Sequence, residues 1–144
     1  MAVDAPPDAL RLTGTVIRLV RLLDSRMSQV IGCELGLTEV MTLGLIDRGI
    51  DLGSTIARSL QIDPARVTRI VERLVAQGYV VRGEDSMDRR RCPLSLTPSG
   101  QTLLSLARAA LGDAMNSILE QLPPADRASL VGGLQSVRPV LEHA

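Results

Sequence analysis

Apolar residues recur at alternating spacings of four and three through Val16, Val20, Leu23, Met27 and Val30. This heptad-like seam predicts a long amphipathic helix running from a cap at Asp8 to about Ile31. Gly32 and Gly36 punctuate its end, and Thr38 reads as the cap of a second helix through Val40, Met41, Leu43, Leu45 and Ile46 to Arg48, stopped by Gly49. Two short helices follow, one from Gly53 to near Leu60 and one opened by Asp63 as cap with Pro64 at the first helical position. Only Gln61 and Ile62 lie between them. Helices joined so tightly must cross steeply, the geometry of a helix-turn-helix.

After Gly78 the period changes. Tyr79, Val80 and Val81 predict a short strand, and Leu94 and Leu96 a second, across a polar loop from Gly83 to Arg91. Thr97 and Pro98 repeat the cap-then-proline signal and open a long helix through Leu104, Leu111, Met115, Ile118 and Leu122, closed by Pro123 and Pro124. A last helix carries Leu130, Leu134, Val137 and Leu141, and Pro139 is expected to bend its final turn. The pattern predicts a mainly α chain of about six helices with one two-stranded hairpin.

In the second helix of the tight pair, Val67, Ile70, Val71 and Leu74 form one face and predict the buried side. The other face carries Arg66, Arg69 and Arg73, with Thr68 near the start. An α-helix fits the major groove of DNA, where Arg pairs bidentately with guanine. The bland alternative is a solvated helix whose charges are balanced by Asp63 and Glu72. Context favours DNA, because the hairpin that follows ends its loop in Arg89, Arg90 and Arg91. Three adjacent guanidinium groups repel one another unless an anion is near, and phosphates or a narrow minor groove supply one. Asp88 suits a brace for these arginines better than a DNA contact, since phosphate repels a carboxylate. Taken alone, the loop is equally well read as a solvated turn balanced by Glu84, Asp85 and Asp88.

Composition narrows the classes. With 144 residues, 45% apolar and 22% charged, the chain fits one ordered domain, residues 1–144. There is no Phe or Trp and one Tyr, so the core must be aliphatic. The net charge of zero is unevenly spread: residues 48–91 hold nine Arg against six acids. No stretch approaches the length of apolar residues that spans a bilayer, and the first nine residues carry acids and prolines where a signal peptide needs a basic then apolar run. A cytoplasmic protein without a membrane partner is expected. A single histidine, His143, and two distant cysteines, Cys33 and Cys92, leave no constellation for a metal site, a cofactor or an enzyme.

These residues resemble the MarR family of bacterial winged helix-turn-helix regulators, from about Asp8 to the C-terminus. The resemblance is carried by Ala57 and Leu60, Val67-Thr68-Arg69 and Leu74, Gly78, Arg82, Asp88-Arg89-Arg90, and Leu96-Thr97 with Gly100. It implies a winged lobe at about residues 37–97, dimerisation helices at about 8–32 and 98–143, and a homodimer on a palindromic operator in double-stranded DNA. It also implies repression relieved by a small molecule. The three heptad-like seams independently favour a dimer, since they offer more apolar stripe than one small core absorbs. Pro64 and Arg66 depart from the small or hydroxyl residues usual at the start of the family's recognition helix. Pro93 removes a ladder donor from the second wing strand, which is tolerable on an edge.

The family's effectors are commonly aromatic acids, but Tyr79 alone could stack on a ring, and packing of its strand against the recognition helix explains it better. The expectation is an aliphatic-walled pocket with Arg18 or Arg21 as anion anchors. Cys33 and Cys92 are candidates for a redox switch, with a buried structural role the alternative for Cys33. A winged-helix module that binds protein instead of DNA is the rival function.

Overall fold

A computed structural model describes residues 7–32, 35–84, 87 and 92–142. It contains six helices: α1 (Pro7–Ile31), α2 (Leu37–Asp47), α3 (Gly53–Leu60), α4 (Pro64–Ala76), α5 (Pro98–Leu119) and α6 (Pro124–Glu142). Between α4 and α5 lie β1 (Val80–Arg82) and β2 (Leu94–Leu96), paired antiparallel with Val80 opposite Leu96 and Arg82 opposite Leu94. The chain falls into two compact units, residues 1–111 and 112–144.

The first unit holds the core. Met27 from α1, Leu43 and Ile46 from α2, Ile56 from α3, the apolar face of α4, Val80, Leu94 and Leu104 all lie in one buried cluster. Every member is aliphatic, as the composition requires. Of the α1 seam only Met27 is fully buried, while Val16 and Val20 stay 44% and 43% exposed. The stripe is therefore largely exposed. In the second unit the end of α5 turns into α6, with the Arg127 guanidinium donating to the Leu119 carbonyl at 2.9 Å. No described residue of α6 is buried, and its helix continues through Pro139 to Glu142.

Several predicted helix ends shift for physical reasons. α1 includes Pro7, so Asp8 sits inside the first turn, where a carboxylate favours the helix dipole, and does not cap it. Thr38 lies inside α2, whose cap is Gly36. The orphan donors there are met from elsewhere: the Leu37 N–H donates to Asp24 Oδ1 of α1 at 2.7 Å, and the Gly36 N–H to Glu39 Oε2 at 3.2 Å. Leu122 falls beyond the end of α5, and Pro124 opens α6 instead of closing the helix before it. β1 starts one residue later than expected, because the Tyr79 N–H is spent on the Leu74 carbonyl, 2.9 Å away, in the turn that ends α4. Pro93 precedes β2, and its carbonyl accepts the Gly83 N–H at 2.7 Å, so the missing donor is harmless.

Candidate nucleic-acid interface

The helix-turn-helix is built by three local devices. The Ile62 N–H reaches the Ala57 carbonyl (3.1 Å) and the Gln61 N–H the Arg58 carbonyl (3.2 Å), which closes α3 with Gln61 in the left-handed region at φ +53°. This position ordinarily favours glycine. Asp63 then accepts the Ala65 N–H at 2.7 Å and Pro64 pre-sets the first helical turn, so α4 starts where the sequence placed it. At its far end Gly78, at φ +76°, lets the Gly78 and Tyr79 N–H groups return to Val75 and Leu74.

Burial of Val67, Ile70, Val71 and Leu74 fixes the rotation of α4 about its axis. Arg66, Thr68, Arg69 and Arg73 are consequently exposed. Arg66 and Arg69 form no ion pair with a described residue, so neither Asp63 nor Glu72 neutralises them. Thr68 turns its hydroxyl back to the Pro64 carbonyl at 3.1 Å. Arg73 differs: its Nη1 donates to Glu39 Oε1 of α2 at 3.2 Å. The sequence offered Asp63 and Glu72 as charge partners for the row only in the solvated-helix alternative and gave no sign of this one, because the two residues stand 34 positions apart.

The base of the wing is held on three sides. Leu94 donates its N–H to the Asp51 carbonyl at 2.9 Å, which ties β2 to the loop before α3. The Thr97 hydroxyl donates to the Gly78 carbonyl (2.6 Å) and accepts the Gly100 N–H (3.0 Å), joining the end of α4 to the start of α5. Gly100 packs so tightly that a Cβ there would fall on the Tyr79 carbonyl oxygen. The proposed grip, Arg89, Arg90 and Arg91, and its brace Asp88 lie outside the described residues, as does Cys33. Cys92 is an exposed free thiol and borders one shallow depression together with Thr68 and Arg82.

An aliphatic groove of about 390 Å³ opens elsewhere on the first unit, between α2, α3 and α5. Leu37, Val40, Met41, Leu45, Leu60, Leu104 and Leu111 wall it, with Arg48, Arg108 and Ser59 as its polar groups. Arg108 is paired to Asp47 at 3.0 Å, and Arg48 Nε donates to the Gly44 carbonyl at 3.2 Å. Arg18 and Arg21 are exposed on α1 and do not line this groove. Tyr79 lies apart from it, half-buried beside Pro98, Thr102 and Leu103.

A sequence model of the MarR family matches residues 34–91, from the approach to α2 to the end of the wing loop. Over that segment the chain is similar to the MarR family of winged helix-turn-helix transcriptional regulators. Among relatives, the transcriptional repressor NicR of Pseudomonas putida is 29% identical over 133 residues, covering 90% of this chain and 79% of NicR. A candidate transcriptional regulatory protein for the hcr operon of Thauera aromatica is 29% identical over 82 residues, 57% of this chain. That match spans 49%, about half, of the Thauera protein. The MarR fold covers nearly the whole chain: a cysteine-to-serine mutant of Escherichia coli MarR superposes with a TM-score of 0.78 at 22% identity, over 96% of this chain and 100% of that one. The same mutant solved with operator DNA gives 0.73 at 23% identity, over 91% and 94%. No described helix is long and apolar enough to cross a membrane.

Proposed function

We propose that the protein acts as a homodimeric repressor that binds a palindromic operator in duplex DNA and is released by a small molecule. One observation carries the reading: Arg66 and Arg69 stand exposed and without an anionic partner among the described residues, on the helix whose opposite face is locked in the core. Guanidinium groups left unpaired on a rigid helix suit bidentate pairing with guanine in the major groove. Thr68, freed from its local bond, adds a contact near the helix start. The Arg89–Arg91 run grips phosphate or the minor groove, with Asp88 as its brace. Work of this kind is done by binding, in the cytoplasm where the DNA is.

The dimer is supported by what the protomer leaves uncovered. Val16, Ile17 and Val20 on α1 and Leu134, Val137 and Leu141 on α6 all remain exposed. Stripes of this size on a soluble chain call for a partner, and a second copy offers the same stripes in return. The two recognition helices would then sit about 34 Å apart, one turn of DNA.

For the effector, the groove between α2, α3 and α5 fits an aliphatic acid. Its walls carry no aromatic ring, and Arg48, which has no carboxylate partner among the described residues, offers charge complementary to a carboxylate.

Footprinting on the DNA flanking the protein's own gene tests this function, with affinity followed against salt. The expected result is protection of two half-sites one helical turn apart and an affinity that falls about 0.9 log units per log of salt for each phosphate contacted. Flat or absent DNA binding would favour a module that docks on protein.

A further inference from the structure

We propose that Arg73 is not a base reader but a strut, which with Glu39 fixes the pose of the recognition helix against α2. The proposal rests on the DNA-binding reading of α4 and narrows its reading set to Arg66, Thr68 and Arg69. Three observations carry it. The Arg73 guanidinium already has an anion, Glu39 Oε1 at 3.2 Å, whereas Arg66 and Arg69 have none among the described residues. The Glu39 side chain is 13% exposed and is itself immobilised, because its other oxygen accepts the Gly36 N–H at 3.2 Å. Arg73 also lies in the last turn of α4, about 10 Å further along the axis than Arg66. Helix-turn-helix proteins read bases from the N-terminal part of the recognition helix.

The geometry makes Glu39 a shared fixture. It caps α2, whose other orphan donor, the Leu37 N–H, is held by Asp24 of α1 at 2.7 Å. Leu37, Val40 and Met41 of the same helix wall the aliphatic groove. A displacement of this end of α2 would therefore reach α4 through the Glu39–Arg73 pair. Transmission of that kind is rigid-body and needs no unfolding.

The test is a double-mutant cycle on the full chain with Glu39→Gln, Arg73→Met and both together. Gln keeps an acceptor for Gly36 but removes the charge that holds Arg73. Thermal unfolding without DNA, at fixed protein concentration, decides the strut independently of any operator: each single change should lower Tm, and the double change should lower it less than their sum. Operator affinity should fall by about threefold to tenfold in each single variant and no further in the double, with the salt slope unchanged. Strictly additive Tm losses overturn the strut. So does a Glu39→Gln variant of normal affinity beside an Arg73→Met variant whose salt slope drops by about 0.9, which makes Arg73 a phosphate contact. Loss of base preference at a single operator position in Arg73→Met alone makes it a reader and also overturns the strut. If the wild type shows no operator preference, the DNA-binding reading falls while the Tm cycle still decides the pair.

Discussion

Replacing Thr97 with Val removes one oxygen from the junction where the recognition helix, the wing and α5 meet. The hydroxyl makes two bonds, donating to the Gly78 carbonyl at 2.6 Å and accepting the Gly100 N–H at 3.0 Å. The first anchors the turn that ends α4; the second caps α5. Loss of the cap costs about 1 kcal/mol, and the Gly78 bond about 0.5–1.5 kcal/mol more, so Thr97→Val should destabilise the protein by about 1.5–2.5 kcal/mol. Val matches Thr in shape, so packing is held constant. Thr97→Ser keeps the hydroxyl and loses only a methyl, and should stay within about 0.5 kcal/mol of wild type. Urea unfolding at a single protein concentration measures both, because dimerisation would otherwise shift the midpoint. A Val variant as stable as wild type, or a Ser variant that falls as far as Val, would refute the argument. Destabilisation by Val should also weaken operator binding, since Gly78 sets where α4 ends relative to the wing.

Gly100→Ala should cost about 1–3 kcal/mol or more in the same assay despite the helix preference for Ala, since its Cβ meets the Tyr79 backbone and not a movable side chain. A neutral or stabilising Gly100→Ala would show that α5 can slide on the strand. Val20→Glu should shift the protein towards monomer in sedimentation while its helicity is retained, because Val20 is exposed in the protomer and costs nothing there. An undisturbed dimer would move the interface away from α1.

What the sequence made legible was local. Asp63, Pro64 and the Val67-Ile70-Val71-Leu74 face sit within a few residues of one another, and local chemistry decides them. The aliphatic core and the antiparallel wing strands followed from composition and period in the same way. The errors fell where a distant group intervened. Asp8 and Thr38 resemble caps, yet α2 is capped at Gly36, where the Leu37 N–H is held by Asp24, thirteen residues upstream in another helix, and Thr38 lies inside the helix. Gln61 occupies a left-handed position with no glycine to announce it. Arg73 reads as one of three equivalent arginines until Glu39 comes beside it. The α1 stripe could be placed on a helix face by its spacing, but spacing cannot distinguish a protomer's core from a surface awaiting a second copy. The structure shows only that Val16 and Val20 are exposed while Met27 is buried.

The most direct test of the central claim is the base preference of Arg69→Ala, measured as affinity for the operator and for each of its single-base variants at one salt concentration. If α4 reads the major groove through Arg69, preference should relax at one position repeated symmetrically in both half-sites, with a loss of about 1–3 kcal/mol on the best operator. A uniform loss across all variants would reassign Arg69 to phosphate, and unchanged binding would contradict the claim that this helix enters the groove.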